Sequence, residues 1–107
     1  MTLYWSPAAW EDYQYWSRQA PQVHARINAL LADIRLHPET GLGAPLPLLA
    51  GWSGYWSRRI DRKHRLVYRV DGKRLLVAQC RYHDGHFLRA ADDSLFNPLE
   101  TLASSAS

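Results

Sequence analysis

The chain has 107 residues, 47% hydrophobic and 21% charged, with a net charge of +3 and an aromatic set of five Trp, six Tyr and two Phe. That length holds one domain with a single two-layer core, and no apolar run nears the roughly 20 residues that span a bilayer. The N-terminus lacks the basic-then-apolar pattern of a signal peptide, and a lone Cys80 excludes an internal disulfide and an all-cysteine metal site, which fits a reducing cytoplasm.

Residues 2–5, TLYW, read as an opening strand. Ser6 followed by Pro7 starts a helix, since Ser caps an exposed N–H and Pro at the first helical position gives up no hydrogen bond. Trp10, Tyr13 and Trp16 recur at helical spacing as far as about Arg18. Pro21 opens a second helix, in which Val23, Ile27, Leu30, Leu31 and Ile34 form one buried stripe, and Pro38 ends it. Residues 38–54 carry four Gly and three Pro and read as a long loop, a length often tied to function. Strands are predicted over about 55–61, 64–70 and 75–83, the last two joined at Asp71-Gly72, a hairpin signal. Beyond them, Asn97-Pro98-Leu99-Glu100 reads as a capped short helix and the ASSAS tail as disordered. The order β-α-α-β-β-β predicts an α+β fold, two N-terminal helices on one face of a twisted antiparallel sheet.

Charge is concentrated in the second half. Residues 54–89 hold ten Lys/Arg against three acids, while all other residues hold three against seven. Arginine outnumbers lysine eleven to two, and its planar fork suits bidentate contact with phosphate. Strand alternation puts Ser57, Arg59 and Asp61 on one face, Arg65, Val67 and Arg69 on another, and Gln79, Arg81 and His83 on a third. If register aligns these faces, Arg59, Arg65, Arg81 and His83 converge, and a histidine beside arginines suits protonation of a phosphodiester leaving group. A solvated charged face is the plainer alternative.

Four segments in order, W-S-x-x-x-W-x-D-Y-x-Y-W at 5–16, G-x-W-S-R-R-I at 54–60, H-R-L-V-Y at 64–68 and C-R-Y-H at 80–83, resemble the YoeB/Txe toxins, part of the RelE-like ribonuclease toxins of bacterial toxin–antitoxin systems. The resemblance runs through residues 1–83, a toxin domain, and leaves 84–107 as a C-terminal extension. It implies a cytoplasmic, metal-independent endoribonuclease that needs no cofactor, enters the ribosomal A site and cuts mRNA by attack of the ribose 2′-OH on phosphorus. It implies His83 as general acid, Arg65 as the phosphate-stabilising arginine and Arg59 as a second cation at the scissile phosphate. On charge alone, Arg58, Arg62, Lys63 and Arg81 are expected to contact RNA backbone or ribosomal RNA. The implied partners are the ribosome with its mRNA and a YefM/Phd-like antitoxin whose acidic segment covers the active face; family members also dimerise, which adds a homodimer.

The chain departs from the family pattern at three positions. Where the family has roughly P-E-P-L-K, this sequence reads Pro45-Leu46-Pro47-Leu48-Leu49, replacing a catalytic glutamate and a lysine, and Asp84 follows His83 where the family ends in Tyr. Leucine accepts no proton, so weakened cleavage is expected, whether the changes are engineered or natural; in a natural toxin with rearranged chemistry, Asp84, Asp61 or His86 is the candidate substitute base. The alternative is a catalytically inactive family member that binds antitoxin or ribosome.

Overall fold

A computed structural model of the chain describes residues 1–49 and 51–82. Its elements are β1 (Thr2–Trp5), α1 (Pro7–Gln19), α2 (Pro21–Leu36), β2 (Leu46–Pro47), β3 (Trp56–Arg59), β4 (Arg65–Asp71) and β5 (Arg74–Gln79). The five strands form one sheet in the order β1-β5-β4-β3-β2. The α+β class and both helices agree with the sequence reading. The sheet is mixed, however, because β1 lies parallel to β5, with Thr2 opposite Arg74 and Trp5 opposite Val77. The loop expected over 38–54 also contributes the short edge strand β2. The short helix expected near Asn97 and the tail lie outside the described residues.

Each helix starts as its sequence requires. Ser6 is extended, its Oγ accepts the Ala9 N–H at 3.1 Å and donates to the Ala78 carbonyl at 2.8 Å, so one hydroxyl caps α1 and ties it to β5. Pro21 opens α2. Ile27, Leu30, Leu31 and Ile34 are buried, with Val23 packed at the margin. They meet Trp5, Tyr13, Trp16, Leu66, Tyr68, Leu75 and Val77 in the main core. Burying each such side chain contributes about 1.5–3 kcal/mol.

The other sheet face has an apolar half, where Tyr55, Val67, Leu76 and Ala78 are buried under Tyr4, Leu48 and Trp52. The segment after β2 therefore folds back across the sheet: Leu48 N–H bonds the Tyr55 carbonyl at 2.9 Å, and the Trp52 and Tyr55 rings meet edge-on with centroids 5.3 Å apart. Asp71 pairs with Arg74 around a two-residue turn in which Gly72 has φ 60°, so the hairpin read from Asp71-Gly72 is present. Pairing shifts between Val67 and Tyr68, which face Gln79 and Val77; Ala78 is the extra residue of a β-bulge. The strand expected to run to residue 83 ends at Gln79.

Candidate functional site

Antiparallel pairing sets neighbouring side chains on a common face. Arg59 is paired with Arg65, and Ser57 with Val67. On either side, Leu46 faces Ser57 and Val67 faces Gln79. Leu46, Ser57, Val67 and Gln79 thus make one row across four strands, and Arg59–Arg65 is the next row toward the β3–β4 turn. This is the sheet face that the helices do not cover. Leu46 is 63% exposed and Leu49 84%. Leu46 therefore stands one row from the cation pair, and Leu49 follows on the exposed segment after β2.

The β3–β4 connection is held by its own hydrogen bonds. Asp61 Oδ1 accepts the N–H groups of Lys63 at 2.9 Å and His64 at 2.7 Å, and Ile60 N–H bonds the His64 carbonyl at 3.0 Å. Burial pushes the Asp61 carboxyl up, but these two N–H groups outweigh it and hold the group below its usual value. A carboxylate so engaged is a weak base. Arg65 is half-buried and gives Nη1 to the carbonyls of Asp61 and His64, at 2.9 and 3.1 Å. Among the described residues its guanidinium is held by these carbonyls and pairs with no carboxylate. Arg59, Arg62 and Lys63 are exposed, and among the described residues none of the three makes an ion pair.

Arg58 corrects the expectation of an RNA contact. It is 0% exposed and points toward α2, because adjacent strand residues face opposite ways. All five of its N–H groups have acceptors: Nε the Tyr68 hydroxyl, Nη1 Asp33 Oδ2 and the Leu42 carbonyl, and Nη2 the carbonyls of His37 and Thr40. The Tyr68 hydroxyl donates onward to the Pro38 carbonyl at 2.6 Å, and Asp33 Oδ2 also accepts the Leu42 N–H at 2.9 Å. The Arg58 guanidinium beside Asp33, then the Leu42 N–H, lower that carboxyl's pKa. This cluster clamps residues 37–42, which lead to Gly43 at φ 84°. A Cβ there would meet Leu30 Cδ2 at 2.8 Å and the Arg59 carbonyl at 3.1 Å, so only glycine lets the loop come close enough for the Gly43 carbonyl to accept the Arg59 N–H at 2.7 Å. Arg58 faces the core so that Arg59 and Leu46 can share the open face.

Arg81 also departs from the expected convergence. Its guanidinium stacks on the Tyr15 ring of α1 at 3.7 Å and lies 5.8 Å from the Trp16 ring, toward the helices rather than the Arg59–Arg65 row. Leaving the end of β5, Trp16 Nε1 donates to the Cys80 carbonyl at 3.0 Å, and the Tyr82 N–H donates to His64 Nδ1 at 2.9 Å. His64 thus anchors the last described residues against the β3–β4 turn, a role the sequence did not reveal. The expected general acid His83, and Asp84, lie outside the described residues.

Among the described residues no helix is long and apolar enough to cross a membrane. The model of the YoeB-like toxin of bacterial type II toxin–antitoxin systems matches residues 5–84. Toxin YoeB of Escherichia coli K12 is 48% identical over 83 residues, covering 78% of this chain and 99% of the relative. A solved YoeB/ParE toxin from Agrobacterium tumefaciens superposes with a TM-score of 0.75 at 46% identity, over 78% of this chain and 99% of that one. Two structures of the Staphylococcus aureus protein, a heterotetrameric YoeB–YefM toxin–antitoxin complex and a YoeB dimer, give TM-scores of 0.75 and 0.74, each at 39% identity over 78% of this chain and 97% of theirs. A family match across three quarters of the chain, with the same two helices laid on the same sheet, places it in the YoeB-like toxin family of bacterial type II toxin–antitoxin systems.

Proposed function

We propose that this chain is a ribosome-dependent mRNA endoribonuclease whose chemical step is weakened by the loss of a proton acceptor at position 46. In the proposed reaction the ribose 2′-OH attacks phosphorus, the P–O5′ bond breaks, and the products are a 2′,3′-cyclic phosphate and a 5′-OH. Arg65 and Arg59 stabilise the charge gathered on the phosphoryl oxygens, and His83 delivers the proton to the leaving oxygen. Arg62 and Lys63, carried outward on the turn, hold the RNA backbone. The observation that carries this reading is the cross-strand Arg59–Arg65 pair. Two like charges set opposite each other on a sheet repel, and a phosphate between them removes the penalty.

Leu46 lies one row from this pair, where a carboxylate would reach a 2′-OH held at the arginines. Leucine there leaves positioning and charge stabilisation in place but no base. The experiment is cleavage of mRNA on programmed ribosomes by the parent chain and by Leu46→Glu with Leu49→Lys. General acid–base assistance contributes about 10²- to 10⁴-fold, so the double variant should gain within that range. A folded double variant no faster than the parent overturns the assignment of position 46.

A second reading, a binding module in place of an enzyme, draws on the exposed leucines, which add apolar area beside the cations. It predicts no cleavage by parent or double variant, with ribosome or antitoxin binding retained. Under either reading the partner is a YefM-like antitoxin in the cytoplasm, supported by the complex of the S. aureus relative; the YoeB dimer of that relative supports self-association as well.

A further inference from the structure

The open face joins two surfaces that water serves unequally. Its cations, Arg59, Arg62 and Lys63, are exposed without ion pairs among the described residues, and Leu46, one row from the Arg59–Arg65 pair, and Leu49 are largely exposed as well. An occupant that suits both halves is acidic and apolar at once.

The chain itself supplies such a segment, beginning at this spot. Tyr82 is tied to His64, and Lys63 Nζ lies 5.4 Å from the Tyr82 ring, so Tyr82, the last described residue, lies beside the turn that carries the cations. Residues 84–102 hold Asp84, Asp92, Asp93 and Glu100 against a single Arg89, interleaved with Phe87, Leu88, Leu95, Phe96, Leu99 and Leu102. Residues 1–82 are the complement, with twelve Lys/Arg against six acids. The E. coli relative is 99% covered within 83 residues and so has no counterpart of this segment.

We propose that residues 84–102 dock in cis on the open face, their carboxylates against Arg59, Arg62, Lys63 and Arg65 and their apolar side chains against Leu46 and Leu49. The chain thereby carries an internal competitor for the RNA that this face binds under the proposed function. A short tether gives an effective concentration near millimolar. A contact of only about 0.1 mM intrinsic affinity therefore lowers apparent RNA affinity about tenfold.

The test uses the full-length chain and two full-length variants, Phe87→Ser with Phe96→Ser, which keeps every charge, and Asp92→Asn with Asp93→Asn and Glu100→Gln. Affinity for a short single-stranded oligouridylate is measured at low salt, and backbone amide shifts of Leu49, Arg59, Lys63 and Arg65 are compared without RNA. Docking in cis predicts about tenfold tighter binding by both variants, with amide shifts that move in the apolar variant and do not depend on protein concentration. A gain confined to the charge variant, no gain in either, or shifts that follow concentration would each overturn it. If no protein binds oligouridylate, the RNA reading of the face fails, while the amide shifts still decide the docking.

Discussion

Arg59 and Arg65 stand directly opposite each other at the turn end of the β3–β4 ladder, a placement that repulsion opposes and an anion rewards. A like-charge pair at this position costs about 0.2–1 kcal/mol. Inorganic phosphate should therefore raise the melting temperature at constant ionic strength. Either Arg59→Gln or Arg65→Gln should remove that response; Arg59→Gln should leave the phosphate-free melting temperature equal or slightly higher, while Arg65→Gln should lower it through loss of the bonds to the Asp61 and His64 carbonyls. Equal phosphate stabilisation of all three proteins would count against an anion at this pair.

The arginines of the face and of the turn should separate by kinetics. Measured on the Leu46→Glu, Leu49→Lys background, Arg65→Ala should slow single-turnover cleavage about 10²-fold with little change in ribosome affinity, because a contact made in the transition state lowers the rate without weakening the ground state equally. Arg62→Ala or Lys63→Ala should instead weaken binding and reduce its salt slope by about 0.7 to 1, since each neutralised phosphate releases counterions. The reverse pattern would reassign both sets.

Arg58 is expected to matter for stability alone. Arg58→Met leaves the carbonyls of His37, Thr40 and Leu42 without their donor and should cost about 3 kcal/mol in urea unfolding. Arg58→Lys should recover little, because an ammonium cannot span acceptors arranged for a planar fork. A loss under 1 kcal/mol for both would mean that the 37–42 loop is held by other contacts.

Acid should destabilise the fold through Asp33 and Asp61. Both carboxyls are held below the usual value, Asp33 first by the Arg58 hydrogen bond, and Asp61 by two backbone N–H groups against the opposing effect of burial. For a group whose folded pKa is depressed, the stabilisation is present above the unfolded value near 4 and is lost as pH falls through the folded value. The contribution of these two carboxyls to the unfolding free energy should decline below about pH 4. Asp61→Asn should make that decline shallower.

Cys80 should be inert. It is fully buried, with Sγ 3.4 Å from the Ala9 carbonyl, and burial first, then the nearby Asp12, pushes its thiol well above the usual range. Alkylation in native buffer should run at least about 10²-fold slower than in denaturant. Fast native labelling would show that β5 opens at its C-terminal end.

Much of this architecture was legible from residue order. Ser6-Pro7 and Pro21 mark where helices begin, the Ile27–Ile34 stripe marks the face that packs, and Asp71-Gly72 marks the tight turn, because each reports a constraint felt within a few residues. The four family segments identified the toxin fold and drew attention to Arg59 and Arg65, and the departure of residues 45–49 from the family pattern drew attention to positions 46 and 49. Period-two alternation even contained the opposed orientation of Arg58 and Arg59, since consecutive strand residues cannot face one side. What residue order did not contain was the acceptor shell. Five groups from Asp33, His37, Thr40, Leu42 and Tyr68 turn Arg58 from a surface cation into an internal clamp, and they meet only when α2 packs on the sheet. Register was likewise beyond reach. The Ala78 bulge sets Gln79 across from Val67, the Tyr15 ring draws Arg81 toward α1, and a two-residue edge strand fixes Leu46 beside Ser57, because strand pairing and ring stacking are decided by contacts between segments far apart in the chain.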